Sequence, residues 1–134
     1  MKMAGSLDAN VVLRLLLGDI PAQQKQALAV ISSAPGVQFA VADTALIETI
    51  FVLGRAYGFN RTTTAAAIRD FMSDLRIKCN RAMVTSALDL YVRHPSLSFE
   101  DCVLATYAEL TDALPLYTFD KKLAKATSHA KLVS

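Results

Sequence analysis

The sequence predicts an α/β fold with a short, mainly parallel sheet, and two observations carry that expectation. Apolar runs of a few residues, VQFAV (37–41), LRIKC (75–79) and LPLYTF (114–119), alternate with longer stretches of helical periodicity. Such alternation lays parallel strands side by side and sends the connecting helices over the sheet faces. The chain also has the size for one domain, expected over 1–134. At 134 residues, 53% apolar with four prolines, it can bury roughly two-thirds of its unfolded surface.

Each element has a local reason. KMAGSLD is the opening strand, although Gly5 and Ser6 lower its β propensity. VVLRLLLG, from Val11, is a helix entered after Asp8. Pro21 opens PAQQKQALAVISSA, which stops before Pro35-Gly36. Asp43 is expected to cap the helix that contains ALIETIFVL, and Gly58 to end it. TTTAAAIRDFMSDL is the next helix. Asn80 caps RAMVTSALDLYVRH, which Pro95 closes, and Ser98 opens FEDCVLATYAEL. DKKLAKATSH is a short helix after LPLYTF, and KLVS a last strand.

Composition removes some function classes. The longest apolar region, about Val37 to Leu53, is interrupted by Asp43 and Glu48 and is short for a bilayer. The opening stretch MKMAGSLDANVVLRLLLGD carries Asp8 and Arg14 through what would be a signal's apolar core, so a cytoplasmic location is expected. Cys79 and Cys102 form no CxxC pair and suit reduced thiols better than a staple. The net charge of +2 does not prove a nucleic-acid partner, although Lys121, Lys122, Lys125 and Lys131 crowd the end of the chain.

Four carboxylates fall at equivalent places in this layout. Asp8 follows the first strand and Asp120 follows LPLYTF. Asp101 lies in the first turn of the helix after Ser98, and Glu48 a turn and a half inside the helix after VQFAV. Carboxyl ends of parallel strands and the starts of the following helices face a common crevice. Asp8 and Asp120 also read as N-caps, and Ser98-x-x-Asp101 as a capping box. Glu48 caps nothing. Its neighbours Leu46, Ile50, Leu53 and Tyr57 share one helix side and Ile47 and Phe51 another, which is expected to leave little surface for water. Four ionised carboxylates about 6 Å apart at an effective dielectric of 20 would repel by roughly 3 kcal/mol per pair, or ~17 kcal/mol in all. That rivals a domain's whole stability of ~5–15 kcal/mol. Either protons or a metal must occupy such a cluster, and all-oxygen donors select Mg²⁺ or Mn²⁺, ions suited to phosphodiester hydrolysis.

The blocks LDANVVLRLLLGD, ALIETIFVLGRAYG, LSFEDCVLATYAE and PLYTFDKKLAKA, in this order, resemble the PIN domain, specifically the VapC-like toxins of bacterial toxin–antitoxin pairs. The resemblance runs from about residue 6 to residue 127. It implies a three-layer α/β/α sandwich with a short central sheet and a metal-dependent endoribonuclease acting on RNA. It also implies an acidic quartet of Asp8, Glu48, Asp101 and Asp120 binding Mg²⁺ or Mn²⁺, with Asn10 and Thr118 orienting it. Members are commonly homodimers silenced by a cognate antitoxin protein. Two departures stand out: the opening strand KMAGSLD, less apolar than the family's usual one, and Asp112-Ala113 where many members have a glycine-containing turn. Asp112 reads as a turn residue.

Rival constellations are weaker. Cys79 and His94 lack a third orienting group, and His94 and His129 have no companion at zinc spacing. An acidic receiver domain would want two adjacent acids after its first strand, where this chain has Leu7-Asp8. A PIN-like module that only binds protein or RNA is the alternative from another class. Arg14, Arg55, Arg81, Lys121 and Lys122 are the candidate phosphate contacts.

Overall fold

Five short strands and seven helices form in the computed structural model, which describes residues 2–133. All strand pairings among the described residues are parallel, and the chain divides into two compact units, Met1–Asn80 and Arg81–Ser134. This is the α/β architecture expected.

The first unit is built on a three-stranded sheet in the order β1-β2-β3, from Lys2–Ser6, Val37–Ala40 and Ile77–Lys78. Helices α1 (Ala9–Leu16) and α2 (Pro21–Ile31) connect β1 to β2, and α3 (Asp43–Arg55) and α4 (Arg61–Met72) connect β2 to β3. Parallel neighbours require such crossovers, because a tight turn cannot reverse the chain twice. The pairing of β1 with β2 shifts register between Met3 and Gly5. The irregularity falls in the segment whose small, polar residues specify register weakly, and all five residues of β1 are exposed. The core takes Val12, Leu13, Leu46, Ile50, Leu53, Ile68 and Ile77, each at most 3% exposed.

Helix entry follows side-chain caps in most places. Asn60 caps α4 by accepting the Thr63 N–H at 2.7 Å. The expectation for Asp43 is corrected: Ala42 is the N-cap of α3 and makes no side-chain cap bond, while Asp43 is the first helical residue. An acid there still opposes the helix dipole favourably. The chain leaves α3 at Arg55, and Gly58 follows with φ 67°, a left-handed backbone that suits glycine.

In the second unit α5 (Arg81–Arg93) packs on α6 (Phe99–Leu110), with Tyr91 and Phe99 edge to face at 5.6 Å. Strands β4 (Leu116–Thr118) and β5 (Ala130–Leu132) pair across α7 (Lys121–Ala126). The turn after α6 places Asp112 at φ 58°, its N–H bonded to Glu109 O at 3.1 Å and the Ala113 N–H to Ala108 O at 2.8 Å. Asp112 thus takes the left-handed position that closes a helix, usually given to glycine. It is a turn residue, as its context suggests.

Candidate functional site

The four acids reach their places by two routes. Asp8, Asp101 and Asp120 stand at helix N-termini, where unpaired backbone N–H groups attract a carboxylate. Asp8 is the N-cap of α1, and its Oδ1 accepts the Val11 N–H at 3.0 Å. Asp120 is the N-cap of α7, and its Oδ1 accepts from Lys122 N at 2.9 Å and Leu123 N at 3.3 Å. Asp101 completes a reciprocal capping box. Ser98 Oγ accepts the Asp101 N–H at 3.1 Å, and Asp101 Oδ2 accepts the Ser98 N–H at 3.4 Å.

The cap reading of these aspartates is met, and capping does not use up the carboxylates. A carboxylate has two oxygens, and each cap engages one. Among the described residues, Oδ2 of Asp8 and of Asp120 and Oδ1 of Asp101 accept no hydrogen bond. Structural duty leaves one oxygen of each free.

Glu48 takes the other route, mid-helix, and here the sequence expectation is corrected. Its side chain is exposed. Leu46, Ile50 and Leu53 turn inward as their spacing requires, but the fourth inward residue is Thr49, fully buried. The Thr49 hydroxyl donates to Ala45 O at 2.7 Å, which removes the cost of burying it. Phe51 stays outside at 65% exposure, and Tyr57 at 37%. The Glu48 side chain makes no hydrogen bond or ion pair among the described residues, and the side chain of Arg55, further along the same helix, makes none either.

Asp8 and Glu48 belong to the first unit, Asp101 and Asp120 to the second. Among the described residues no three or more His, Cys, Asp or Glu side chains form a group that could hold an ion. What does fit a divalent ion is the donor chemistry: each unit offers two hard-oxygen carboxylates, and Mg²⁺ is commonly held by one or two plus waters.

The supporting residues divide. The Thr118 hydroxyl accepts the Asp120 N–H at 2.9 Å and so fixes the backbone from which that carboxylate projects. Asn10 makes no hydrogen bond among the described residues; it lines a groove of about 370 Å³ beside Ser6, Gln23 and Gln26. Of the cations, Lys121 and Lys122 are exposed at the start of α7, Arg55 is exposed at the end of α3, and Arg81 is half-buried at the start of α5. Arg14 is already committed. Its side chain is 12% exposed, and its guanidinium meets Asp19 Oδ1 at 2.9 Å and the Tyr57 hydroxyl at 3.1 Å, while Tyr57 donates to Asp19 Oδ2 at 2.6 Å. The Tyr57 hydroxyl and then the Arg14 charge hold the Asp19 carboxyl below its ordinary range. No local signal announces that partnership across the chain.

A second cluster also escapes sequence reading. His129 Nδ1 lies 2.9 Å from Thr127 Oγ1 and its Nε2 2.5 Å from Glu109 Oε2, tying α6 to the start of β5. The hydroxyl of Thr127 also accepts the His129 N–H at 3.2 Å, so the arrangement works as a latch on the strand beside β4.

No helix among the described residues is long and apolar enough to cross a membrane. No curated protein matches the chain. The family model described as the PIN domain matches residues 6–128. PIN domains are generally nucleases that use divalent metal ions and act on nucleic acid. With a match across nearly its whole length, the chain belongs to the PIN domain family.

Proposed function

We propose that the chain is a metal-dependent endoribonuclease, one PIN domain over 1–134, and the VapC-like toxin of a toxin–antitoxin pair. Asp8, Glu48, Asp101 and Asp120 are its acidic set, and Mg²⁺ or Mn²⁺ its cofactor. The observation that carries this reading is the free carboxylate oxygen left on each of the three capping aspartates, Asp8, Asp101 and Asp120, in a chain matched by the PIN domain model over residues 6–128. A divalent ion, when bound, supplies a nucleophilic water and charge for the leaving oxygen.

The chain's own residues do the rest. Asp8, Asp101 and Asp120 offer oxygens on side chains that their caps already hold in place. Thr118 steadies the backbone of Asp120. Glu48 adds a carboxylate free of other duty. Lys121, Lys122 and Arg55 supply the positive charge that an RNA backbone requires, whereas Arg14 is spent on Asp19 and Tyr57. A homodimer, an antitoxin partner and a cytoplasmic location belong to the same proposal.

The test is cleavage of RNA by purified protein with Mn²⁺, then with excess chelator, followed by sequencing of the RNA ends. Cleavage that stops in chelator is the expected result. Undiminished cleavage overturns the metal mechanism. A protein that binds RNA or a partner but cleaves nothing with metal present is a PIN-like binding module instead.

A further inference from the structure

The exit of β4 holds a large ring in water beside one of the proposed acids. Phe119 is 83% exposed, the highest value among the described large apolar side chains, and Tyr117, two residues earlier, is 63% exposed. Side chains two apart along a strand stand on one side of it. The residues between and before them, Thr118 and Leu116, are half-buried. Neither exposed ring meets another ring, and the Tyr117 hydroxyl makes no hydrogen bond among the described residues. A loose loop tip does not account for this exposure. Thr118 O accepts the Val133 N–H at 3.0 Å and Thr118 Oγ1 the Asp120 N–H at 2.9 Å, so the backbone is tied on both sides of Phe119.

Positive charge flanks the two rings. Lys131 is the register partner of Tyr117 on β5, which sets the two on one face of the sheet. Lys121 and Lys122 follow Phe119 just beyond Asp120. All three lysines are exposed and make no ion pair among the described residues. The five side chains belong to the second unit. Rings flanked by unpaired lysines fit a ligand in which flat apolar faces alternate with negative charge. A single nucleic-acid strand is such a ligand: its bases stack on rings and its phosphates meet ammonium groups. A duplex turns its base faces toward one another and offers the rings nothing. A protein partner would cover the rings at the cost of desolvating three lysines. An anionic membrane would draw the lysines but repel Asp120, which stands between them and Phe119 in the chain.

From this arrangement we infer that Tyr117 and Phe119 form a stacking shelf for unpaired bases of an RNA strand, with Phe119 taking the base nearest the Asp120 carboxylate. That the strand is RNA rests on the nuclease reading above, but the shelf itself needs no catalysis. Stacking strengthens with the area of the π-face, so Phe119 favours a purine over a pyrimidine. The preference is modest, because every base has a face to offer. A ring on a tied backbone has little freedom left to lose on binding. Phe119 thus sets which nucleotide sits beside the acid, while the lysines set how tightly the strand is held.

The test is binding of labelled RNA to the full chain in excess chelator, where no metal-dependent cleavage confuses the reading. Wild type binds an adenylate decamer best, a uridylate decamer less well, and a blunt GC-rich RNA duplex least. Phe119→Ala and Phe119→Leu each weaken binding of the adenylate decamer at least about fivefold. Their melting curves, and the slope of their affinity against salt, stay as in wild type. Lys121→Ala combined with Lys122→Ala flattens that slope instead. Because the chain has no tryptophan, Phe119→Trp adds a single reporter, whose emission the adenylate decamer quenches. A wild type that binds no single strand, a Phe119→Ala that binds like wild type, or a Phe119→Leu that keeps wild-type affinity overturns the shelf. So does a Trp reporter that answers equally to the duplex, or only to vesicles of anionic phospholipid. The nuclease reading fails separately: a protein that binds through Phe119 yet cleaves nothing with Mn²⁺ keeps the shelf and loses the chemistry.

Discussion

Helices α3 and α6 are of similar length and each carries one of the proposed acids, yet they employ it differently. In α6, Asp101 is part of the structure: its carboxylate and the Ser98 hydroxyl exchange hydrogen bonds that start the helix. In α3, Glu48 holds nothing together, because the helix begins at Ala42 without a side-chain cap and its inward face is complete with Leu46, Thr49, Ile50 and Leu53. One acid starts its helix and keeps one oxygen unbonded; the other serves no structural end within its own chain. An acid kept without structural employment is the purer functional marker. The comparison separates two effects that mutation of a catalytic acid normally confounds.

The largest expected effect is on catalysis at Glu48. Glu48→Gln should lower RNA cleavage with Mn²⁺ by more than about a hundredfold, beyond the loss of an outer-shell hydrogen bond. Its melting temperature should stay within about 1 °C of wild type, since exposed positions rarely matter more than ~0.5 kcal/mol. A variant that melts several degrees lower yet cleaves normally would return Glu48 to a structural role.

At Asp101 the two effects should come together and then part. Asp101→Ala should abolish cleavage and also remove half of the capping box, costing about 1 kcal/mol, or roughly 3–6 °C in melting temperature. Asp101→Asn keeps an oxygen for the Ser98 N–H and should lose activity with little change in melting. Equal melting of the two variants would show that the capping box contributes nothing measurable.

Ser98→Ala inverts that result. It should melt lower by a similar ~1 kcal/mol while cleaving normally well below its transition, as followed by calorimetry and a gel assay at 20 °C.

The smallest effect belongs to the Arg14–Asp19–Tyr57 cluster, which is partly open to solvent. Tyr57→Phe should lower the melting temperature by no more than about 2 °C at neutral pH. The sign of its pH dependence follows from Asp19, whose carboxyl the Tyr57 hydroxyl and Arg14 hold below the ordinary range. The stabilisation is present above the unfolded value near 4 and is lost as pH falls through the lower folded value. The gap between wild type and Tyr57→Phe should therefore be constant from about pH 8 to 5 and close below about pH 4. A gap that widens in acid would contradict this assignment.

Local chemistry made much of the fold legible in the sequence. The caps at Asp8, Ser98 and Asp120 bond to N–H groups two or three residues on, so their signal is contained in a few letters. The parallel strands followed from alternation with helices, and the turn at Asp112 from its neighbours. Long-range partnership was not legible: Tyr57 reaches Arg14 and His129 reaches Glu109 through tertiary contacts that no periodicity encodes. The environment of Glu48 failed for a different reason. Hydropathy ranks Phe51 above Thr49 for burial, but helix phase set the order, and the Ala45 carbonyl satisfied the threonine hydroxyl. Asp43 failed for a third, because one residue of slip turns a cap into the first helical position.

The half-used carboxylates carry a last consequence, for the entropy of binding rather than its enthalpy. A free aspartate that captures an ion must give up rotamers, at roughly 0.5–1.5 kcal/mol for an immobilised side chain. Asp8, Asp101 and Asp120 have already surrendered theirs to the backbone N–H groups that they cap. Only Glu48, longer and unbonded, would still have to be ordered on binding. If the proposed acidic set binds an ion, helix nucleation pre-sets three of its donors, so that solvents or substitutions that fray the first turns of α1, α6 and α7 should weaken ion affinity before they unfold the protein.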